Sequence, residues 1–524
     1  MHIRLSRYTT ALLKKLKELQ HKPLPDEVSR ISVSPTVSFI ALAYEKIRNA
    51  VEYREGHLIR KGAIERILKR RLSLNPEGRG EAENLIRELL WARYFPNESL
   101  GADDVAKVQD IITTYLILKH ALHPKYSPFL FDLATCDIEE TLSPKEAEQN
   151  ALFTFYIYQV LKDKVKIDRV TEDQKNIAFY VALEKAYSKS DISYLRFHLF
   201  TLSHKRISQL SKEETQSLIL RFPEIATEID SVIANPYSER IRRFIQTQLP
   251  PFNILFEVVR KNENKNLDAL FTNREALWQE VERTCKQKYV QTREKLQSLG
   301  IKAIVYIFLT KMIFALLLEY PLSLFFYNEV NYATLTVNTL FPPFLMFAII
   351  ALTKIPGEQN TKRMFERFVE IIDADRSFET KISFILRKPK VRRPFLIFFF
   401  TILYSLTFII TFSLLYEILT LLQFNLVSQA VFVFFVSLVA FFGYRVIQVA
   451  KEYRLRERES FFRPFADFFS MPILALGKVL STGLAKINFL TVLFDFFIEA
   501  PFKMIIDVFE EWISFLRSKR EEIV

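Results

Sequence analysis

Three charged residues stand inside apolar runs of the sequence. Lys311 lies near the middle of the run 301–322, and Glu319 follows eight residues later on roughly the same helical face. Glu417 lies near the end of the run 395–418. An ionisable side chain at membrane depth is costly, so it either pairs with an opposite charge or belongs to an ion or proton pathway. The sequence therefore predicts that Lys311 pairs with Glu319 or with Glu417, and it leaves that choice open.

Asn338 and the pair Pro342–Pro343 interrupt another apolar run, 335–352. Proline removes a backbone donor from a helix and can leave carbonyl oxygens facing a cavity, as in the discontinuous helices of transporters. The same prolines can equally do no more than kink a helix, and charged side chains can reach towards the membrane interface. We therefore treat six residues as a candidate intramembrane polar cluster: Lys311, Glu319, Asn338, Pro342, Pro343 and Glu417.

Four apolar runs are long enough to position these residues within a membrane: 301–322, 335–352, 395–418 and 426–444. Each approaches the ~20 residues with which a helix crosses ~30 Å of hydrocarbon. Helices suit this role because they satisfy their backbone hydrogen bonds internally. The chain has only 10 Gly in 524 residues, which disfavours many-stranded architectures rich in tight turns. The predicted fold class is all-α: a polytopic helical membrane protein with a large N-terminal cytoplasmic helical domain.

Lysine and arginine alternate between the connections of these runs. The connections 321–338 and 419–425 contain neither residue, whereas the loop 354–394 is strongly basic. The segments before the first run and after the fourth are basic as well. Because basic connections tend to remain in the cytoplasm, the pattern predicts that the N-terminus and the C-terminus are both cytoplasmic.

The chain ahead of the spans reads as a series of helices. Thr171 with Glu172, and Ser211 with the two glutamates that follow, are typical helix starts. We predict one helical region over 1–122, a proline-containing linker at 123–143, and a second helical region over 144–300. The last helix of that region is expected to continue into the membrane as a stalk. The transmembrane domain then occupies 301–445, and 446–524 forms a cytoplasmic-side region.

Two segments follow the fourth run. Segment 461–493 is apolar but interrupted by Pro, Gly and Lys, which favours interfacial or re-entrant helices, with a hairpin of two further short spans as the alternative. A stripe at intervals of four and three then forms a candidate interaction helix: Ile498, Phe502, Ile505, Phe509, Trp512 and Leu516. This helix is suited to lie on the membrane, to bind a partner helix, or to pack on the protein's own soluble domain.

The net charge of +12 and the dense basic helix 57–71 are compatible with binding to anionic lipid or to nucleic acid. We favour a solvated helix face that forms salt bridges with nearby glutamates. The chain has no CxxC pair, no Walker or Rossmann glycine loop, and neither GxSxG nor HExxH. We therefore predict no catalytic, metal or cofactor site, although the lack of a motif leaves an enzyme acting on lipid as a third, weaker hypothesis.

Several runs carry a resemblance to a known group of proteins. The sequences HLIRKGAIERILKRR, YIFLTKMIFALLLEYP, FPPFLMF and FDFFIEAPFKMIIDVFEEW resemble those of uncharacterised multi-span membrane proteins of reduced-genome bacteria of the candidate phyla radiation. The similarity covers most of the chain. It implies a bacterial inner-membrane location and no known activity, so it transfers no site residue.

Two hypotheses about function follow. The first is an integral cytoplasmic-membrane protein whose helical domain is a scaffold or docking platform, since more than half of the chain is predicted to be cytoplasmic. The alternative is a channel or transporter that uses the polar residues in the spans. As partners we expect the lipid bilayer and a protein on the cytoplasmic side; nucleic acid is not expected, and assembly into a homo-oligomer is left open.

Overall fold

The structure is a computed structural model that describes residues 2–20, 30–35, 55–167, 170–263, 265–373, 384–386, 394–455 and 463–485, with the single positions 38, 39, 41, 42, 45, 508, 512 and 515. Within these residues the fold is all-α, which confirms the predicted fold class at that level. Among the described residues the strands are β1 (Val165–Ile167) and β2 (Phe384–Leu386), which pair in parallel with Val165 opposite Phe384.

The chain divides into two compact units. The N-terminal unit comprises Leu5–Gln246, Phe378–Leu386 and Leu493–Val524. The central unit comprises Met1–Arg4, Thr247–Ser377 and Arg387–Val492. The division at Gln246 falls inside a continuous helix, so it differs from the boundary that we expected near residue 300.

The N-terminal unit is built mostly of helices. They are α1 (Arg7–Gln20), α2 (Gly56–Leu74), α3 (Glu81–Trp91), α4 (Ala102–Ala121), α5 (Ser127–Leu142), α6 (Pro144–Leu161), α7 (Glu172–Leu183), α8 (Ile192–Ser203), α9 (Lys212–Ile233) and the first part of α10 (Pro236–Lys261). The predicted starts are confirmed, since Thr171 accepts a hydrogen bond from the Gln174 amide and Ser211 forms a capping box with Glu214.

The segment 123–143, which we expected to be a linker, is instead part of the core. Residues Pro124–Tyr126 form a 3₁₀ turn, and α5 follows directly with Leu130, Leu133 and Ile138 fully buried. Pro124 and Pro128 do not break the chain because each lies in the first turn of its helix, where the missing N–H has no intrahelical partner to lose.

The central unit contains longer helices. They are α11 (Leu267–Thr272), α12 (Arg274–Phe314), a π-helical segment (Ala315–Glu319), α13 (Tyr320–Tyr327), α14 (Tyr332–Ala351), α15 (Glu358–Ile372), α16 (Pro394–Leu421), α17 (Leu426–Ala450) and α18 (Arg463–Ala485). Among the described residues, four stretches are long and apolar enough to cross a membrane: Arg274–Tyr327, Tyr332–Ala351, Phe398–Leu421 and Leu426–Ala450. They coincide with the four predicted runs.

The predicted stalk is a continuous part of the first of these stretches. Its apolar face is buried at Leu277, Val281 and Cys285, and it packs on α15 within the central unit. The ring centroids of Trp278 and Phe365 lie 5.0 Å apart at this contact. The helix therefore continues without interruption from the part that packs on α15 into the apolar part that begins near residue 301.

Helix α18 occupies most of the segment 461–493. It is a single helix that contains Pro472 and packs closely on α17. At Gly477 a Cβ atom would lie only 2.0 Å from the backbone oxygen of Ser437, near the middle of α17. The glycine therefore permits a close helix–helix approach rather than a break in the helix. Residues 461–462 and 486–493 lie outside the described part of the chain. The interfacial or re-entrant arrangement and the alternative hairpin of two short spans all remain predictions.

Candidate functional site

The first candidate span carries a buried ion pair. The Lys311 ammonium nitrogen lies 2.8 Å from Glu319 Oε2, and the two side chains are 0% and 1% exposed. The π-helical segment Ala315–Glu319 lies between them in the chain. Two α-helical turns take about 7.2 residues, and a π-bulge adds about one more residue to a turn. Residues eight positions apart are thereby brought onto one face, and the spacing that we noted in the sequence becomes a contact.

Asn338 on α14 extends this pair to two further helices. Its side-chain nitrogen donates one hydrogen bond to Glu319 Oε1 at 2.5 Å and a second to the backbone oxygen of Ser428 at 3.0 Å. Asn338 is fully buried. Its side-chain oxygen, Oδ1, has no hydrogen-bond partner among the described residues. The carboxylate of Glu319 thus receives one donor at each oxygen, from Lys311 and from Asn338.

An aromatic ring closes the site on the other side of the ammonium group. Lys311 Nζ lies 5.0 Å from the centroid of the Phe435 ring on α17. A cation over an aromatic face is attracted by the ring quadrupole, and more strongly where water is excluded. The ion pair is therefore held between α12, α14 and α17 in surroundings of low polarity.

Pro342 and Pro343 lie buried in the interior of α14, which remains helical from Tyr332 to Ala351. Neither proline has an N–H group, so the carbonyl oxygens of Asn338 and Thr339 lack their usual donor four residues later. The proline pair and the Asn338 side chain therefore belong to the same turn of the helix. Asn338, Pro342 and Pro343 are close in the sequence, so we expected them to lie together. The structure adds the contact of Asn338 with Glu319.

Glu417 is not part of this cluster. It is exposed on α16, whereas Lys311 is paired with Glu319. Of the two carboxylates that the sequence offered as partners of Lys311, the structure selects Glu319. The difference follows from the helix faces, since the π-helical turn brings Glu319 to the buried side of its own helix.

A polar chain that we did not predict leads away from Asn338. Ser428 donates its backbone N–H to Asn425 Oδ1 at 2.8 Å, and Asn425 donates its side-chain N–H to Ser323 Oγ at 3.1 Å. Ser323 and Ser428 are buried, and Asn425 is half-buried in the connection before α17. Asn425 directly before an apolar run has the sequence signature of a helix cap, which could have identified it.

The candidate interaction helix lies mostly outside the described residues: Ile498, Phe502, Ile505, Phe509 and Leu516. Trp512 is described, and it is helical and 56% exposed. Val508 and Phe515, at helical spacing from Trp512, are also large, apolar and more than half exposed. The three described positions of this segment therefore carry exposed apolar side chains.

The basic helix α2 is neutralised within its own unit. Arg70 and Arg71 both bind the carboxylate of Glu88 at 2.5 and 2.6 Å, and Arg60 binds Glu139 at 2.7 Å. Further along the helix face, Lys61 lies 3.2 Å from a carboxylate oxygen of Asp191. These contacts confirm the expected salt bridges of the helix 57–71. The expected solvated face is wrong, because the paired side chains of Lys61 and Arg71 are only 6% and 17% exposed.

A second buried charge network surrounds His198 in the N-terminal unit. The two ring nitrogens of His198 lie 2.9 Å from carboxylate oxygens of Glu184 and Glu140. Burial by itself lowers the pKa of His198, but the two carboxylates outweigh burial and raise that pKa to about 10. The imidazolium is therefore charged at neutral pH and is a structural cation. Among the described residues, no group of three His, Cys, Asp or Glu side chains is arranged to hold a metal ion.

Comparisons with known proteins add no family to these observations. No family model, no curated protein and no solved structure matches the chain.

Proposed function

We propose that the protein is a multi-pass protein of the cytoplasmic membrane. The observation that carries this proposal is the apolar exterior of its four long helices. In the apolar window of α16 only 6% of the residues are buried, and Phe398, Phe399 and Phe400 are each more than half exposed. Apolar patches of this extent are rare on soluble monomers, and their natural solvent is hydrocarbon.

We propose that the N-terminus and the C-terminus both lie in the cytoplasm. The support comes from charge. The connections around Asn331 and Gln423 contain no Lys or Arg, whereas α15 between the second and third spans carries Lys362, Arg363 and Arg367. Cytoplasmic retention of basic connections favours this orientation.

The N-terminal unit is proposed to be a docking platform for a protein partner on the cytoplasmic side. Two observations support this role. The basic groups of α2 are already bound to carboxylates of the same unit, which leaves little cationic surface on this helix for lipid or nucleic acid. The exposed Val508, Trp512 and Phe515 offer an apolar face of the kind that anchors protein interfaces.

The intramembrane ion pair is proposed to be structural in such a platform. Lys311, Glu319 and Asn338 connect α12, the π-helical segment, α14 and α17 through hydrogen bonds. A buried pair of this kind specifies which helix faces meet, because any other arrangement leaves a charge unpaired in hydrocarbon.

A channel or transporter is the second candidate. It is favoured by the Asn338 oxygen without a partner and by the two carbonyl groups that Pro342 and Pro343 leave without their usual donors. These acceptors lie in one turn of α14, beside a charged pair.

One experiment tests the proposal and separates the two candidates. Membranes that contain the full chain are washed with alkaline carbonate, and the purified protein is then reconstituted into proteoliposomes for ion-flux measurements. We expect the protein to stay in the membrane fraction and the vesicles to be no leakier than protein-free ones. Release by carbonate contradicts membrane insertion. An ion flux that is lost when Lys311 is substituted contradicts the docking platform and supports the channel or transporter.

A further inference from the structure

The polar cluster around Lys311 has more donors and acceptors than its side chains use. An ammonium group has three N–H donors. One of them binds Glu319 Oε2, and the Phe435 ring faces the group, while no second acceptor is found for Lys311 among the described residues. The Asn338 amide uses both N–H donors but leaves its oxygen without a partner.

These unused groups belong to one small region. Lys311 and Asn338 are each a single hydrogen bond away from the same carboxylate, that of Glu319. The carbonyl oxygen of Asn338, which lacks its usual donor because of Pro342, belongs to the same residue as the unpaired side-chain oxygen. The region therefore offers N–H donors on one side and oxygen acceptors on the other.

We propose that this cluster binds an internal water molecule between Lys311 and Asn338. The water accepts a hydrogen bond from the Lys311 ammonium group and donates one to Asn338 Oδ1. Its second hydrogen is donated to the main-chain oxygen of Asn338 or of Thr339. Three hydrogen bonds of this kind are what a buried water in a protein usually makes, and they remove the cost of leaving buried polar groups unpaired.

The chemistry favours water over an ion. A metal cation would approach the Lys311 ammonium group and be repelled by it. An anion would lie beside the carboxylate of Glu319 and face the acceptor oxygens of Asn338. A neutral molecule that both donates and accepts fits the mixture, and the molecule must be small because the surrounding side chains are fully buried.

A chain of hydrogen-bonded polar groups runs from Asn338 through Ser428 and Asn425 to Ser323, and Asn425 lies in the half-buried connection before α17. Toward the other end of α12, the neighbouring buried residues Ile307, Met346 and Val439 form an apolar cluster. In this proposal the water reaches the site along the polar chain and the apolar cluster bounds the site on the other side, so no continuous pore is required.

The probe for this proposal is water itself. The full chain, labelled with ¹⁵N, is reconstituted into lipid bilayers, and magnetisation transfer from water protons to side-chain nitrogens is measured by solid-state NMR. The Asn338 amide is compared with that of Gln429, which is buried in the same group of helices and donates both N–H groups to Thr420 Oγ1 and to the Phe424 oxygen. We expect several-fold faster transfer to the Asn338 and Lys311 nitrogens than to Gln429.

A variant makes the comparison specific. Asn338→Leu removes the proposed acceptor, and in folded protein it should slow the transfer to Lys311 to the rate of Gln429. Equal rates for Asn338, Lys311 and Gln429 in the unaltered protein contradict the water site, whether or not the variant folds. That result leaves the proposed platform and its ion pair untouched, because those are tested by carbonate extraction and by flux.

Discussion

The ammonium nitrogen of Lys311 lies 2.8 Å from Glu319 Oε2, and a π-helical turn between the two residues places them on one face of the first candidate span. Asn338 and Phe435 complete the surroundings from two other helices. The pair is thus part of the packing of the helices rather than of one helix alone. Removal of the ion pair should therefore lower the stability of the whole central unit.

Lys311→Met should destabilise the protein, because Glu319 would be left as a buried carboxylate without its cation. Breaking a buried pair costs about 3–5 kcal/mol. The double variant Lys311→Met with Glu319→Gln should regain most of that loss, since neither charge remains. The measurement is thermal unfolding of the purified full chain in detergent. Lys302→Met is the matched control, because Lys302 is exposed on the same helix. A single variant as stable as the control contradicts a structural pair.

Gly477→Ala should loosen the contact of α18 with α17. The added Cβ would lie 2.0 Å from the backbone oxygen of Ser437, and backbone atoms cannot move aside as a flexible side chain can. Overpacking of this kind typically costs about 1–3 kcal/mol. Gly483→Ala on the same helix is the control, because its Cβ would meet nothing within 4 Å. Equal melting temperatures for the two variants are the outcome that argues against close packing here.

Glu88→Gln should destabilise the N-terminal unit, because Glu88 binds the guanidinium groups of both Arg70 and Arg71. Loss of hydrogen bonds to a charged partner costs about 1.5–3 kcal/mol. Lys69→Met removes an exposed pair with Glu65 and should change the unfolding free energy by less than ~1 kcal/mol. Chemical denaturation of the full chain measures both effects. If the two variants lose equal stability, the buried and exposed pairs of α2 do not differ as we expect.

The contribution of His198 should depend on pH. Its pKa is raised to about 10 in the folded protein, against 6.5 for an ordinary histidine. The stability that it confers is therefore complete below pH 6.5 and is lost as the pH rises towards 10. The difference in unfolding free energy between the parent and His198→Gln should shrink over that range, by on the order of 1 kcal/mol per pH unit. Denaturation at pH 6, 8 and 10 checks this, and a difference independent of pH contradicts it.

The sequence predicts the long apolar helices better than the helices of the N-terminal unit. Apolar length and residue type were sufficient to predict an ion pair for Lys311, but they left Glu319 and Glu417 as alternative partners, and the structure decides for Glu319. The π-helical segment Ala315–Glu319 was not predictable, because it depends on packing rather than on local preference. The contacts of Asn338 with Glu319 and Ser428 join residues that are far apart in the chain, and no local pattern reports such a contact.

Proline was the main source of error in the N-terminal unit. The segment 123–143 contains Pro124 and Pro128, and Pro144 follows it, which suggested a linker there. Each of them lies at the start of a helical turn, and α5 between them is buried in the core. Proline is common both just after the end of a helix and in the first turn of the next helix, so proline alone does not distinguish a linker from a tight helix–helix connection.

Cysteine labelling of intact cells is the most direct test of the central claim, a membrane protein with four spans and cytoplasmic termini. Single cysteines at Asn331, Gln423 and Gln359 lie at exposed positions of three successive connections. The native Cys136 and Cys285 are buried and should add little background. An impermeant thiol reagent should label the variants at Asn331 and Gln423 from outside and should label the variant at Gln359 only after the cells are opened. Labelling at Gln359 in intact cells, or protection of all three positions, contradicts the account.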